Sequence, residues 1–353
     1  MKAPELTTEM VPVQGALAQV AFRRSARAAK ISLRIDPAQG GVVITLPPRA
    51  SRRAGLALLQ THEAWVAEKL AALPRALPFA PGAEVAGIVK AVGAGVERPR
   101  IGDRVIASCG WGGMAQQVLA DAAKCMPLPE DMDFATGSAL VLTYGTSHYA
   151  LTDRAQLKPG ENLVVLGAAG GVGLAAVELG KLMGATVIAG ASNQEKVDLA
   201  LAHGADRGFV YPAGSLDRNQ QKDLSETIKQ LTNGNGADVL YDPVGGDYAE
   251  PAVRAMAWEG RYLVIGFAAG AIPKIPLNLT LLKSCDIMGV FWGAFTVRNP
   301  KRNQEHLAEI ARWVREGKLQ PHISARFALA QGGQAIRMLA DRKAKGKVVV
   351  TMD

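Results

Sequence analysis

The residues best suited to chemistry lie in a turn of small residues within the stretch 163–181, LVVLGAAGGVGLAAVELGK. Four aliphatic residues open the stretch, and Ala168, Gly170 and Gly173 then follow the GxGxxG spacing, with alanine in the first position. Small residues let the backbone turn sharply and approach a pyrophosphate, whose charge then lies at a helix N-terminus. We predict a strand, a phosphate-binding turn that includes Gly171 and Val172, and a helix that packs closely on the strand at Gly173.

A second strand and helix follow this turn, as a dinucleotide-binding unit requires. The strand is predicted over 186–189 and the helix over 194–203, which Gly204 ends. An ordinary buried strand with a glycine-rich loop is the alternative, and the context favours the binding unit.

The end of that second strand indicates which cofactor is bound. NAD-selective folds carry an acidic residue there, whereas this chain has Ala191, then Ser192, and Lys196 one helical turn later. A 2′-phosphate would find a hydroxyl and a cation there without a repelling carboxylate. We therefore predict NADPH rather than NADH, although Ser192 as a helix cap and Lys196 as a surface charge would fit the same pattern.

Length and composition are those of an ordinary globular protein. The 353 residues allow two domains, and three dispersed cysteines indicate a reducing compartment. Most of the net charge of +8 lies in residues 1–75, which hold 11 Lys and Arg against 5 Asp and Glu. No nucleic-acid motif accompanies this charge, and we expect a solvated face rather than a nucleic-acid site. Without a signal peptide or a membrane-length apolar run, we expect a cytoplasmic protein.

The first 75 residues have a pattern of their own. We expect residues 1–15 to be loosely held, a hairpin with one apolar face over 31–46, and a helix over 51–73 capped by Ser51. The segments RRSARAAKISLRIDP, VVITLPPRAS and HEAWVAEKLAALP resemble the N-terminal part of YgjP-like metal-dependent hydrolases, without the zinc motif of that family. This resemblance implies a fold fragment and no hydrolase activity.

From about residue 76 the chain resembles the medium-chain dehydrogenase/reductase superfamily, in its zinc-free NADPH:quinone oxidoreductase (zeta-crystallin-like) branch. The motifs that carry the resemblance stand in order along the chain: GAEVAG, GDRV, LTYGTSHYAL, GAAGGVG, YDPVGG, GRYLVIGFAAG, GVFWG and KGKVVV. Zinc-dependent relatives use a histidine where this chain has Ala83, and a four-cysteine lobe where it has only Cys109. We therefore expect no metal.

The resemblance implies an α/β fold. A Rossmann-type doubly wound parallel sheet is expected over 128–297, and a truncated GroES-like β-rich lobe over 76–127 and 298–353, with the N-terminal hairpin and helix in 1–75. A homodimer through an edge strand around 286–291 is also implied.

The resemblance also implies further cofactor residues. Tyr211 would lie beside the 2′-phosphate. The remaining residues would border the nicotinamide end of the cofactor or line the cleft around it: Tyr144, Thr146, Gly266, Phe267, Ala268, Phe291, Trp292 and Gly293.

Three functions remain open at this stage. The first is a reductase that transfers a hydride from NADPH to a small-molecule partner, a quinone or a related electron-poor enone. Quinone reduction needs no dedicated acid in the protein. The second is an enoyl-thioester reductase. The third is a non-catalytic NADPH-binding protein, because in relatives the substrate-facing residues come from the N-terminal stretch that differs here.

Overall fold

The computed structural model describes residues 7–26, 28–36, 41–71 and 79–352. The chain divides into two compact units, Met1–Phe79 and Ala80–Asp353. Three predicted features lie outside the described residues: the beginning of the expected loose segment, the last residues of the 51–73 helix, and the boundary between residues 75 and 76.

The N-terminal unit contains a four-stranded mixed sheet. Its strands are β1 (Thr7–Val13), β2 (Ala16–Arg24), β3 (Ser32–Asp36) and β4 (Gly41–Leu46), in the spatial order β1-β2-β4-β3. The antiparallel pairing of β3 with β4 confirms the predicted hairpin. The expectation of a loose segment was wrong for residues 7–15, because β1 pairs with β2 along its whole length.

Two helices cover this sheet, α1 (Arg52–Thr61) and α2 (Glu63–Ala71). The predicted cap is confirmed, since the Ser51 hydroxyl accepts a hydrogen bond from the Ala54 N–H at 3.1 Å. The predicted single helix is broken at His62, which caps the end of α1. Leu59 and Val66 are fully buried against the sheet, so the apolar faces of hairpin and helices form a core within this unit.

The second unit contains the remaining elements. Its strands are β5 (Glu84–Ile88), β6 (Arg104–Ser108), β7 (Cys125–Pro127), β8 (Asn162–Val165), β9 (Thr186–Ala191), β10 (Arg207–Val210), β11 (Ala237–Asp242), β12 (Met256–Val264), β13 (Asp286–Gly289), β14 (Ile323–Ala328) and β15 (Lys347–Thr351). Its helices are α3 (Phe134–Ser138), α4 (Val141–Tyr149), α5 (Gly171–Leu182), α6 (Gln194–Ala202), α7 (Arg218–Leu231), α8 (Ala249–Arg254), α9 (Asn278–Lys283), α10 (Trp292–Arg298), α11 (Pro300–Arg315) and α12 (Gly332–Ala340).

Six of these strands form one parallel sheet in the order β10-β9-β8-β11-β12-β13. The chain begins this sheet at β8, in the middle, and builds outward first to one edge and then to the other. That order defines a doubly wound Rossmann sheet, with the crevice beside β8 where the direction reverses. The predicted α/β fold class is confirmed. Three antiparallel strands, β5 to β7, and the parallel pair β14 and β15 form the GroES-like part.

Helix α4, which continues into a π-helical turn at Ala150–Arg154, packs on α11 through two buried histidines, His148 and His306. The rings of His148 and His306 lie 4.4 Å apart between their centroids. Burial lowers the pKa of His148 first of all, and the neighbouring His306 lowers it further. His148 is therefore uncharged at pH 7, and its Nε2–H donates a hydrogen bond to the Glu309 side chain at 3.1 Å; the contact is not an ion pair, because the imidazole carries no charge.

This pair predicts acid lability of the second unit. A histidine with a lowered folded-state pKa contributes stability above the unfolded pKa of about 6.5, and this stability is lost as the pH falls below that value. We expect the free energy of unfolding to drop between pH 7.5 and 5.5 by about 1 kcal/mol more in the wild type than in His148→Gln. Urea titrations across this range measure it. His62→Gln, at an exposed histidine, should behave as wild type; equal slopes in all three proteins would contradict the assignment.

Candidate cofactor site

The predicted site residues lie where parallel strands end. The turn follows β8, Ser192 follows β9, Tyr211 follows β10, Gly266 closely follows β12, and Phe291 closely follows β13. Because the carboxyl ends of parallel strands share one edge of a sheet, residues far apart in sequence meet at a single crevice.

The turn after β8 requires glycine at Gly173 and favours it at Gly167. A Cβ on Gly173 would lie 2.3 Å from the carbonyl oxygen of Gly167 and 2.9 Å from the Cα of Ala168. Gly167 itself has a positive φ of 59°. Gly173 therefore allows α5 to begin against the turn and not, as predicted, against the strand. The glycine that packs on the strand is Gly180, whose Cβ would lie 2.3 Å from Leu163 Cδ2.

The end of β9 brings the two predicted phosphate-binding side chains together. Lys196 Nζ lies 3.5 Å from the Ser192 hydroxyl and donates to the carbonyl oxygen of Arg342 at 3.1 Å. Ser192 is not the helix cap, because Asn193 caps α6 and accepts from the Lys196 N–H. The Ser192 hydroxyl is therefore not used in capping. Arg342 also donates to the carbonyl oxygen of Ala268 at 3.3 Å, which links this corner to the loop after β12.

Tyr211 holds the backbone of the glycine turn in place. Its hydroxyl accepts a hydrogen bond from the Gly167 N–H at 3.0 Å, and its ring packs on Tyr248 with centroids 5.0 Å apart. Burial raises the pKa of Tyr211, so the phenol is neutral. The structure thus places this residue behind the glycine turn, where it fixes the turn's backbone.

The segment before β15 closes the other side of the turn. Gly346 donates its N–H to the carbonyl oxygen of Ala169 at 2.8 Å. A Cβ on Gly171 would meet Thr143 Cγ2 at 3.0 Å and Lys347 Cδ at 3.4 Å. Lys347 extends past the turn to a half-buried ion pair of 2.7 Å with Glu84 of β5. The start of α5 is therefore enclosed by α4, the GroES-like strands and the C-terminal segment.

The loops after β11 and β12 lie against each other and form a further wall. Ala268 donates its N–H to the carbonyl oxygen of Pro243 at 3.0 Å, and Phe267 lies beside Gly245. Asp242 ends β11 by accepting hydrogen bonds from the Val244 and Gly245 N–H groups. Burial raises the pKa of Asp242, although these donors act in the opposite direction. Asp242 thus forms the turn that ends β11.

The expected nicotinamide end needs a correction at Tyr144. Its hydroxyl donates to Glu178 of α5 at 2.7 Å, and its side chain is buried. Burial and the Glu178 carboxylate raise the pKa of Tyr144. Because that hydroxyl is engaged inside the protein, it is unavailable to a ligand. Thr146, half-buried on the same helix, stays a predicted cofactor residue.

The residues after β13 separate into two kinds. Trp292 is buried and its ring covers Gly145, where a Cβ would lie 2.8 Å from the indole. Phe291 is 76% exposed. Trp292 therefore belongs to the packing of α4 and α10, whereas Phe291 and Gly293 stay predicted residues of the cleft wall.

The donor set does not fit a zinc ion. Ala83 stands at the position of the expected histidine, and the Cys109 thiol lies 3.5 Å from the carbonyl oxygen of Gly82. Burial raises the pKa of Cys109, the opposite of what a zinc-bound thiolate needs. Within the described ranges, no cluster of three or more His, Cys, Asp or Glu residues could hold a metal ion.

Comparison with known proteins identifies the class of protein. The family model described as "Zinc-binding dehydrogenase" matches residues 171–312, and "Alcohol dehydrogenase GroES-like domain" matches 58–130, beginning inside the N-terminal unit. Quinone oxidoreductase-like protein 2 homolog of Nematostella vectensis is 37% identical over 78% of this chain and 73% of its own length. The chain belongs to the medium-chain dehydrogenase/reductase superfamily of oxidoreductases.

Within that superfamily the chain is similar to quinone oxidoreductases. The quinone oxidoreductase of Pseudomonas aeruginosa is 32% identical over 78% of this chain and 82% of its own length. The crystal structure of Escherichia coli quinone oxidoreductase, solved as a complex with NADPH, has a TM-score of 0.70 at 26% identity, over 79% of this chain and 84% of that one. In the described part of this chain, no helix is long and apolar enough to span a membrane.

Sequence reasoning missed Arg342, which closes the corner beside Lys196. The two residues are 146 positions apart, so no local pattern connects them. The available signal in the sequence was the basic run 342–347, whose last residue begins β15. Thr143, which lies 3.0 Å from the Cβ position of Gly171, was also missed, although it stands in the same motif as the predicted Tyr144 and Thr146.

The close contact at Gly173 leads to a prediction for the turn. In Gly173→Ala the new methyl group would overlap backbone atoms, so the turn must shift. We expect affinity for NADPH and for NADH to fall equally, by about tenfold or more, because both carry the pyrophosphate that the turn would hold. Fluorescence titration with each nucleotide measures this effect. Gly333→Ala is the matched control, since nothing lies within 4 Å of its Cβ; unchanged affinity in Gly173→Ala would exclude this turn from the site.

Proposed function

We propose that this oxidoreductase uses NADPH, without zinc, to reduce quinones or related electron-poor enones. The observation that carries the choice of cofactor is the corner after β9, where Ser192 and Lys196 lie together beside Arg342. Ala191 occupies the place of the acid that would bind the ribose of NAD. Glu195, in the first turn of α6, forms an ion pair with Lys345, which partly offsets its negative charge.

Different groups of residues would bind the different parts of NADPH. The N–H groups at the start of α5 would hold the pyrophosphate, and Ser192 with Lys196 would hold the 2′-phosphate. The loops after β12 and β13, which contain Phe267 and Phe291, would line the cleft around the nicotinamide ring. NADPH, when bound, supplies a hydride to an electron-poor ring or double bond.

The proton that completes the reduction would come from water. Tyr144 was predicted to border the nicotinamide end, and its hydroxyl already donates a hydrogen bond to Glu178. A quinone is reduced without a dedicated acid, because its oxygens accept protons from solvent as charge develops. Because Glu178 engages the Tyr144 hydroxyl, we favour quinones over enoyl thioesters, which more often need a positioned proton donor.

An NADPH oxidation assay tests this function. We expect turnover with 1,4-benzoquinone and 1,4-naphthoquinone, slower turnover with crotonyl-CoA, and loss of activity in Gly173→Ala with Gly333→Ala as control. Turnover of crotonyl-CoA alone would identify an enoyl-thioester reductase instead. Binding of NADPH without turnover of any compound would identify a non-catalytic NADPH-binding protein.

The contact of Lys196 predicts cofactor selectivity. In Lys196→Ala we expect NADPH affinity to fall by about tenfold to a hundredfold, since a charge-assisted hydrogen bond contributes about 1.5 to 3 kcal/mol. NADH affinity should change little, because only the 2′-phosphate meets this cation. Calorimetric titrations with both nucleotides measure the difference, with exposed Lys301→Ala as control. Equal losses for both nucleotides would show that Lys196 is structural.

We also propose a homodimer through β13, which lies at the edge of the six-stranded sheet. Its outer backbone groups need a partner, and Ile287 and Phe291 are exposed there. We expect light scattering at micromolar concentration to report a dimer, and Ile287→Lys to shift it toward monomer by placing like charges across the two-fold axis. A monomeric wild type would contradict this proposal.

A further inference from the structure

A groove of about 490 Å³ lies between helices α7, α8 and α9 of the second unit. Its volume is within the range of small-molecule sites. None of its lining residues belongs to the crevice described above, so the proposed reductase function does not account for it.

The groove carries more positive charge than its own carboxylates neutralise. Five cationic side chains line it, and two of them are paired: Lys229 with Glu226 at 3.0 Å and Arg254 with Glu250 at 2.6 Å. The other three, Arg218, Lys222 and Lys283, make no ion pair or side-chain hydrogen bond with any residue that the structure describes.

The floor of the groove contains a polar group without a partner. Ser225 is only 4% exposed, and its hydroxyl has no hydrogen-bond partner among the described residues. A buried hydroxyl without a partner costs free energy. Leu279 is buried beside this floor, and Leu282 is 67% exposed at the rim. The groove therefore combines an apolar wall, an unused hydroxyl and three unpaired cations.

Helix geometry explains why these groups share one face. Arg218, Lys222, Ser225 and Lys229 are separated by four, three and four residues, the spacing that aligns side chains along one side of a helix. Like charges four residues apart destabilise an isolated helix by a few tenths of a kcal/mol. An anion placed between Arg218 and Lys222 would offset this repulsion.

We propose that this groove binds an organic phosphate with an apolar body. A phosphate dianion offers acceptors to several cations and to a hydroxyl at once, which matches Arg218, Lys222, Lys283 and Ser225. The apolar body would lie on Leu279 and Leu282. The ligand is either a soluble phosphate monoester or the headgroup of a phospholipid, which share this chemistry.

Calorimetric titration of the full chain at saturating NADPH tests the proposal, because NADPH occupies the crevice that could otherwise take phosphate. The probes are octyl phosphate below its micelle concentration, inorganic phosphate and octanol. We expect octyl phosphate to bind one site, at least about tenfold more tightly than either fragment, and its affinity to fall with added salt. Equal binding of octanol would overturn the proposal, and so would the absence of octyl phosphate binding together with the absence of binding to phosphatidate vesicles.

Variants of the groove locate the binding. Lys222→Gln and Arg218→Gln should each lower the affinity for octyl phosphate by about tenfold. Lys301→Gln, at an exposed lysine of α11, should bind octyl phosphate as the wild type does. Ser225→Ala should weaken binding without lowering the urea midpoint, because its hydroxyl bonds to nothing in the free protein. Unchanged affinity in Lys222→Gln and Arg218→Gln would overturn the assignment to this groove.

Vesicles distinguish the two sources of the phosphate. Cosedimentation with phosphatidate vesicles, absent with phosphatidylcholine vesicles and lost in Lys222→Gln, would identify a lipid headgroup. Binding of octyl phosphate without cosedimentation would identify a soluble phosphate. If octyl phosphate does not bind in this groove, the result of the quinone assay is unaffected, because the groove and the cofactor crevice use different residues.

Discussion

The contact between helix α5 and the backbone of the turn before it governs the geometry of the second unit. Gly173 allows the helix to start where any side chain would strike Gly167, and Gly180 lets it lie directly on Leu163 of β8. Because the helix cannot be lifted from the strand, its first N–H groups face the crevice at the sheet edge. This geometry suits an anionic pyrophosphate, since the helix dipole and unpaired N–H groups favour negative charge.

Strand order then decides which residues meet at this crevice. The chain begins its parallel sheet in the middle, so the ends of β9 and β11 flank the turn, and β12 follows β11. The C-terminal segment returns to the same place, where Gly346 bonds to Ala169 and Arg342 accepts from Lys196. Three distant parts of the sequence therefore meet at one corner, where we propose that the nucleotide binds.

Glu178 shows how the interior of this unit restricts its chemistry. This buried carboxylate accepts hydrogen bonds from Tyr144 and from the backbone of Gln320, and it contacts His203 at 2.6 Å. It thereby fastens α4, α6 and the chain before β14 to α5. A buried charge needs such partners, because leaving it unpaired costs far more than the pairs contribute. The Tyr144 hydroxyl is used for this purpose and is lost to catalysis.

The amino-acid sequence by itself determined the strand, turn and helix at the glycine motif, the β3–β4 hairpin and the cap at Ser51. These features depend on residues within a few positions of each other, where spacing and side-chain size decide the backbone. Only the tertiary structure decided that β1 pairs with β2, that Tyr144 faces Glu178 and that Arg342 lies beside Lys196. Those contacts join positions whose distance in space depends on strand order and helix packing, which no local spacing encodes.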